Sequence, residues 1–158
     1  MMSNGTSVST DTVSKQEIAK SQTAEIATST TGIASSTIPT NAGIEAKVRA
    51  YFSDIPVMAE VSRCESHYRQ YDKDGSTFRG KVNNKDVGVM QINEHYHLSR
   101  AKKLGYDIYT VEGNLAYGRL LYTEQGTQPW SSSSPCWGKT AAAKADVVAK
   151  AALILAEK

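Results

Sequence analysis

Cys64-Glu65-Ser66, followed further along by Gly88-Val89-Met90-Gln91-Ile92-Asn93, holds the residues best suited to do chemistry in this chain. The first motif puts one acid where a helix should be running out. The second is a glycine-led apolar stretch able to cover that acid. A covered carboxylic acid stays protonated near neutral pH, as a general acid must, for example when a glycosidic bond is cleaved.

The acid depends on the helix that carries it. From Ile55 to Tyr68, Ser53 or Asp54 can cap the start and Pro56 suits a first turn. Ile55, Met58, Ala59 and Ser62 share one face, and Glu65 is the next member of that row. Val57, Val61, Cys64 and Tyr68 form a neighbouring apolar stripe. An acid ending such a row is partly desolvated, which raises its pKa. The competing reading is that Glu65 ends the helix and points into water, where most carboxylates lie.

Asp74-Gly75 and Asn83-Asn84 are turn signals between the two motifs. Short strands over 77–82 and 87–92 would make an irregular hairpin. Alternation then puts Val87, Val89 and Gln91 on one face and Gly88, Met90 and Ile92 on the other. Gly88 permits a close approach by a ligand or a helix. Gln91 can both donate and accept, so it suits a place beside an acid or a sugar amide. An ordinary half-buried strand with a polar outer face is the alternative.

Together these residues resemble the lytic transglycosylase branch of the lysozyme-like superfamily, the soluble lytic transglycosylase type of domain. Its three parts are matched in order by Glu65-Ser66, by Gly88-Val89-Met90-Gln91-Ile92-Asn93 and by Asn114-Leu115-Ala116-Tyr117-Gly118. The resemblance spans roughly Ala46 to Trp137. It implies Glu65 as the sole acid/base, Gln91 as its neighbour and Asn114 as a structural residue. Gln125-Gly126-Thr127-Gln128-Pro129-Trp130 and Pro135-Cys136-Trp137 are similar to the end of resuscitation-promoting-factor domains, which also begin with Cys-Glu-Ser. That similarity implies a Cys64–Cys136 disulfide, worth ~4 kcal/mol by loop entropy; two free thiols are the alternative. The chain lacks the late Ala-Tyr-Asn-x-Gly motif of the larger transglycosylases, and its hairpin is longer and more charged than in the resuscitation factors.

The fold class this implies is α+β: a mainly helical lysozyme-like domain with a small irregular β-hairpin beside the cleft. The 158 residues, with 40% hydrophobic and a formal charge of +2, allow one domain with a normal core. Residues 1–42 are Ser/Thr-rich without apolar periodicity and read as a disordered leader or linker. Residues 43–138 would be the catalytic domain. Helices are expected between Asn93 and Gly105, with Leu98, Ala101 and Leu104 along one side, and from Val111 to Gln125, with Leu115, Gly118, Leu121 and Tyr122 buried and Gly126 as the stop. A tight helix crossing would explain Gly118. Residues 139–158 form an alanine-rich helix, packed on the domain through Val147, Val148, Ala151, Leu153 and Ile154 or offered to a partner.

Other signals point elsewhere and are weaker. His95-x-His97 could ligate a metal from one strand face, but no acidic or cysteine ligand stands at a matching spacing. Asp72-Lys73-Asp74-Gly75 has its glycine too early for a calcium loop and suits a β-turn. No metal and no cofactor are therefore expected, and no nucleic-acid partner. No apolar run is long enough for a transmembrane helix, and no signal-peptide core is visible. The resemblance implies a monomer acting on peptidoglycan glycan strands, exported to the cell envelope or beyond it. A chain never exported, as for some phage lysins, is the alternative.

The expected substrate contacts are Gln91, Asn93, Tyr96, Tyr117, Ser66 and Asp86, with Gly88 and Asn114 structural. Trp130 and Trp137 could wall a sugar site or fill the core. A transglycosylase needs only Glu65. A hydrolase needs a second carboxylate, for which Asp86 is the first choice and Asp74 the second. A lysozyme-fold module that binds wall polysaccharide without cleaving it is the non-enzymatic reading.

Overall fold

Several helices start where a side-chain cap meets an apolar stripe. The computed structural model describes residues 38–156. Helix α1, Asn41–Tyr51, starts at Thr40, whose hydroxyl accepts from the Gly43 amide at 3.2 Å. It buries Ile44 and Val48, with Phe52 beyond its end. It therefore begins two residues inside the stretch read as leader; residues 1–37 lie outside the described residues. Helix α2, Pro56–Ser66, has Pro56 in its first turn and buries Val57, Met58, Ala59, Val61 and Ser62. Neither Ser53 nor Asp54 caps it: the cap position is Ile55, without a side-chain bond. Asp54 instead receives both terminal nitrogens of Arg119, each at 2.8 Å, a charged fork stronger than a neutral cap.

Helix α3, Glu94–Lys103, is capped by the Asn93 side chain, which accepts from the His95 amide at 3.1 Å. Ala101 is buried, but Leu104 falls at the helix end and is 49% exposed. Helix α4, Val111–Gln125, has the expected bounds. The Thr110 hydroxyl caps it through the Gly113 amide, and Gly126 stops it at φ 62°. Leu115 and Leu121 are buried in its stripe, with Gly118 beside them and Tyr122 half-buried. A Cβ on Gly118 would lie 3.0 Å from the Met90 side chain, so its space is taken by Met90 and not by a helix crossing.

After α4 come a short 3-10 segment, Gln128–Ser133, and helix α5, Ser134–Trp137. Helix α6, Ala141–Ala156, packs on α2 and buries only Ala143. The expected packing through Val147, Val148, Leu153 and Ile154 is not found: all four are exposed. The face turned to the domain carries Asp146 and Lys150, bonded to each other at 2.8 Å, and Asp146 also accepts from the Tyr122 hydroxyl.

The sheet is smaller than the sequence suggests. Strands β1, Asp86–Val87, and β2, Ile92–Asn93, pair antiparallel with Asp86 opposite Asn93 and Val87 opposite Ile92. Single bridges join Tyr71 to Thr77 and Arg79 to Val87. The stretch 88–91 is a turn, not a strand, with Gly88 at φ 73° and Gln91 at φ 50°. Val89 and Met90 are consecutive and both fully buried, which an alternating strand with one wet face cannot achieve. The described chain is thus α+β, mainly helical with a two-stranded antiparallel sheet.

A buried turn has no neighbouring strand to satisfy its backbone, so side chains do it. Ser66 donates to the Val89 carbonyl at 2.8 Å and Ser62 at 3.3 Å. Gln70 accepts from the Val89 amide and Asn114 from the Met90 amide, both at 2.8 Å. Asn114 also donates to the Val87 and Ile108 carbonyls at 3.0 and 2.7 Å, and Trp130 donates to the Met90 carbonyl at 2.8 Å. Ser62, Ser66, Gln70 and Asn114 are the buried polar residues of the described chain, and all four serve this turn. Gly88 lies against them: a Cβ there would meet Asn114 and Gln70 at 2.5–2.6 Å.

Cys64 and Cys136 are disulfide-bonded, joining α2 to α5 across 72 residues. Reducing this bond should lower the unfolding free energy by about 4 kcal/mol in urea titration. Asn114→Ala strands three buried backbone partners and should cost about 3 kcal/mol in the same measurement. A loss under 1 kcal/mol would mean that the turn does not depend on it.

Candidate active site

Glu65 occupies the last turn of α2. Behind it the chain turns sharply through His67 and Tyr68, both left-handed at φ 54° and 59°. Such residues cost about 1–2 kcal/mol each outside glycine. The turn carries Tyr68 into the core and brings Gln70 to the buried 88–91 loop.

The Glu65 carboxylate is half-buried and has one protein partner, Ser133, whose hydroxyl lies 2.6 Å from Oε1. The same hydroxyl lies 3.1 Å from the Trp130 carbonyl, and it has a single proton to give. It serves Glu65 when the acid is charged and can turn to Trp130 when the acid is neutral. The Trp137 indole donates to the Ser133 oxygen at 2.9 Å and to the Trp130 carbonyl at 3.2 Å, which holds the hydroxyl in place. Burial pushes the Glu65 carboxyl above the ordinary carboxylate range; the Ser133 bond works against this, and the charge of Asp86 adds to it.

Two cavities open on either side of Glu65. One, about 340 Å³, is lined by Asn93, Tyr96, His97, Gln125 and Trp130 among others. The second, about 460 Å³, runs along His67, Arg69, Phe78, Lys81 and Asn83. Glu65, Asp86, Gln91 and Ser132 belong to both walls, so the two are limbs of one cleft with the acid at its middle. A larger cavity of about 680 Å³ lies between the start of α1 and the 69–74 loop and does not include Glu65.

Of the residues expected to touch substrate, Gln91, Asn93, Tyr96 and Asp86 line the cleft. Gln91 is tied back through its amide to the Gly88 carbonyl at 2.9 Å. Asn93 donates to Asp86 at 2.7 Å, and Asn83 does so at 3.3 Å, which fixes that carboxylate beside the acid. Tyr96 is 75% exposed on the rim. Ser66 and Tyr117 are not substrate contacts. Ser66 is fully buried under the 88–91 turn, and Tyr117 is fully buried, its hydroxyl 3.1 Å from Nδ1 of His97, which does line the cleft.

Asp74 is also corrected as a second carboxylate. Its carboxylate accepts from the Ser76 amide and hydroxyl, at 3.0 and 2.7 Å, in a wall that excludes Glu65. His95 and His97 stand on helix α3 and not on a strand, two residues apart and therefore on different faces. Trp130 and Trp137 are 3% and 8% exposed, so they act mainly as core residues; the Trp130 indole donates to the buried Met90 carbonyl and the Trp137 indole to Ser133 beside the acid.

Sequence reasoning missed Ser133, Gln70 and Arg69. Ser133 sits in a run of four serines, and nothing local separates it from its neighbours. Its distance in sequence from Cys136 is the one available signal: with Cys136 bonded to Cys64, a residue one turn before Cys136 lies near the residue after Cys64.

Because the folded Glu65 pKa is above its unfolded value, its charge is penalised in the native state. The sign follows: stability falls as pH rises from the ordinary carboxylate range through the folded midpoint, and stays lowered above it. Glu65→Gln should therefore be at least as stable as wild type at neutral pH. Ser133→Ala removes a bond to the charged form and should raise the Glu65 midpoint further, read by carboxyl NMR titration. An unchanged midpoint would show that the hydroxyl does not act on the acid.

No protein-family model, curated protein or solved structure matches this chain, so what the cleft does must be inferred from its own residues and geometry.

Proposed function

We propose that this chain is a lysozyme-like peptidoglycan lytic transglycosylase, cleaving between N-acetylmuramic acid and N-acetylglucosamine with Glu65 as general acid and then base. The observation that carries this reading is the half-buried Glu65 carboxylic acid, its pKa raised by burial, at the middle of a two-limbed cleft. A cleft open on both sides of the acid suits a chain substrate that is cut internally. A raised pKa favours the protonated form that donation to the bridging oxygen requires.

Positive charge then develops at the muramic carbon. The substrate's acetamide stabilises it, and Glu65, now a carboxylate, takes the proton from the 6-hydroxyl as the 1,6-anhydro ring closes. The Ser133 hydroxyl suits both steps, since it can leave the neutral acid and return to the carboxylate. Gln91, Asn93 and Tyr96, which line the cleft, are the polar groups this reading assigns to a sugar amide. The disulfide fits an oxidising, extracytoplasmic setting. Among the described residues no helix is long and apolar enough to cross a membrane.

One observation favours hydrolysis as the second reading. Asp86 shares both walls with Glu65 and is near enough to raise its pKa, which supports it as a water-activating base.

Digestion of purified peptidoglycan separates the two. Muropeptides ending in anhydro sugars, one water lighter, are expected from wild type. Glu65→Gln should lower the release rate by about a thousandfold. Reducing ends, lost on Asp86→Asn, would transfer the mechanism to hydrolysis, and wall binding with no fragments would leave a non-catalytic module.

A further inference from the structure

The two limbs of the cleft differ in charge. The limb with Tyr96 and Trp130 contains no lysine or arginine, whereas the other has His67, Arg69 and Lys81 along its wall. Arg69 stands apart from every other arginine. Among the described residues there are six, and five are paired with carboxylates: Arg49, Arg63, Arg79, Arg100 and Arg119. Arg69 has no carboxylate within ion-pair distance, yet it is not loose.

Its guanidinium lies over the Phe78 ring, 3.8 Å from the centroid. Its Nε donates to the Ser66 carbonyl at 3.0 Å, and its own amide is bonded to the Ser66 hydroxyl at 3.1 Å. Stacking and the Nε bond together fix the plane of the group. They leave both terminal nitrogens without an acceptor among the described residues, on a residue that lines two cavities. A planar fork held in this way is the geometry that binds an oxyanion through two parallel hydrogen bonds. Lys81, exposed and without an ion-pair partner among the described residues, adds a second positive charge to the same wall. The carboxylates of that limb, Glu65 and Asp86, are shared with the other limb and mark its inner end.

We propose that Arg69, assisted by Lys81, is an oxyanion-binding subsite that engages carboxylate or phosphate groups carried by the substrate chain on one side of the scissile bond. On a wall glycan these would be the carboxylates of peptide stems or the phosphates of attached polymers; this choice of probe rests on the function proposed above. The subsite would set which way round the strand lies in the cleft, because the opposite limb has no cation to take the same group.

The test measures binding to the Glu65→Gln protein, so that no strand is consumed. The probes are soluble glycan strands bearing peptide stems, the same strands with stem carboxylates amidated, strands freed of attached phosphate polymers, and neutral chitooligosaccharide. Arg69→Met keeps the packing on Phe78 and should weaken binding of stem-bearing strands about tenfold or more. Arg69→Lys should recover part of that loss, and Lys81→Gln, on an exposed residue, should weaken binding by a smaller factor. Loss of the Arg69 effect on amidated strands identifies stem carboxylates as the ligand. Loss of it only after phosphate removal identifies phosphate. Equal binding by Arg69→Met and its parent on every probe overturns the proposal, as does an equal weakening on neutral chitooligosaccharide, which would make Arg69 structural. Arg69-dependent binding by a protein whose wild type releases no fragments keeps the subsite and rejects the enzyme; released fragments without Arg69 dependence do the reverse.

Discussion

A turn buried without a partner strand is the constraint on which this structure depends. Residues 88–91 run through the interior, where each unsatisfied amide or carbonyl costs about as much as a whole hydrogen bond contributes. Four buried polar side chains and one indole answer the demand. They come from α2, from the loop after it, from α4 and from the 3-10 segment, so the turn is satisfied only with those elements in place. Gly88 is required because the amides of Asn114 and Gln70 occupy the space a side chain would need. The turn is thus the joint at which the separate helices are registered against one another.

The acid inherits its position from that joint. Ser62 and Ser66, which hold the turn, flank Glu65 on the same helix, and Gln91 leaves the turn into the cleft wall. Desolvation of Glu65 is a cost that the fold carries in its native state. The opposing elements are remote in sequence: the disulfide draws α5 onto α2, and the tail of the 3-10 segment brings Ser133 within hydrogen-bond distance. Burial and the Ser133 bond push the acid's pKa in opposite directions, with burial the larger effect. Chain distant from the helix therefore tunes the group that the helix presents.

Much of the helical frame was legible. α4 could be stopped at Gly126 because its stripe and that glycine are local signals, while Thr110 offered no capping box to mark its start. The core-facing rows of α2 were readable for the same reason, since a 3.6-residue period needs no tertiary information. The reading failed where a local preference met a distant competitor. Asp54 could cap α2 until Arg119 offered it a charge, and Val87 to Ile92 looked like a strand until helices covered both of its faces. Helix α1 went unread because its short apolar row adjoins the Ser/Thr-rich stretch. The apolar residues of α6 were expected to pack, but the face turned to the domain is the one bearing Asp146 and Lys150.

By itself, the sequence determined the local elements around the cleft: Glu65 at a helix end, a glycine-led apolar segment, a long helix with Asn114, and two cysteines. Tertiary structure alone decided that Ser66 and Tyr117 are interior, that Asp86 and not Asp74 faces the acid, and that Ser133 and Arg69 belong to the cleft. The physical reason is range. Helix periodicity and turn chemistry act over a few residues, whereas desolvation, hydrogen-bond partnership and the pairing of charges depend on what packing brings together.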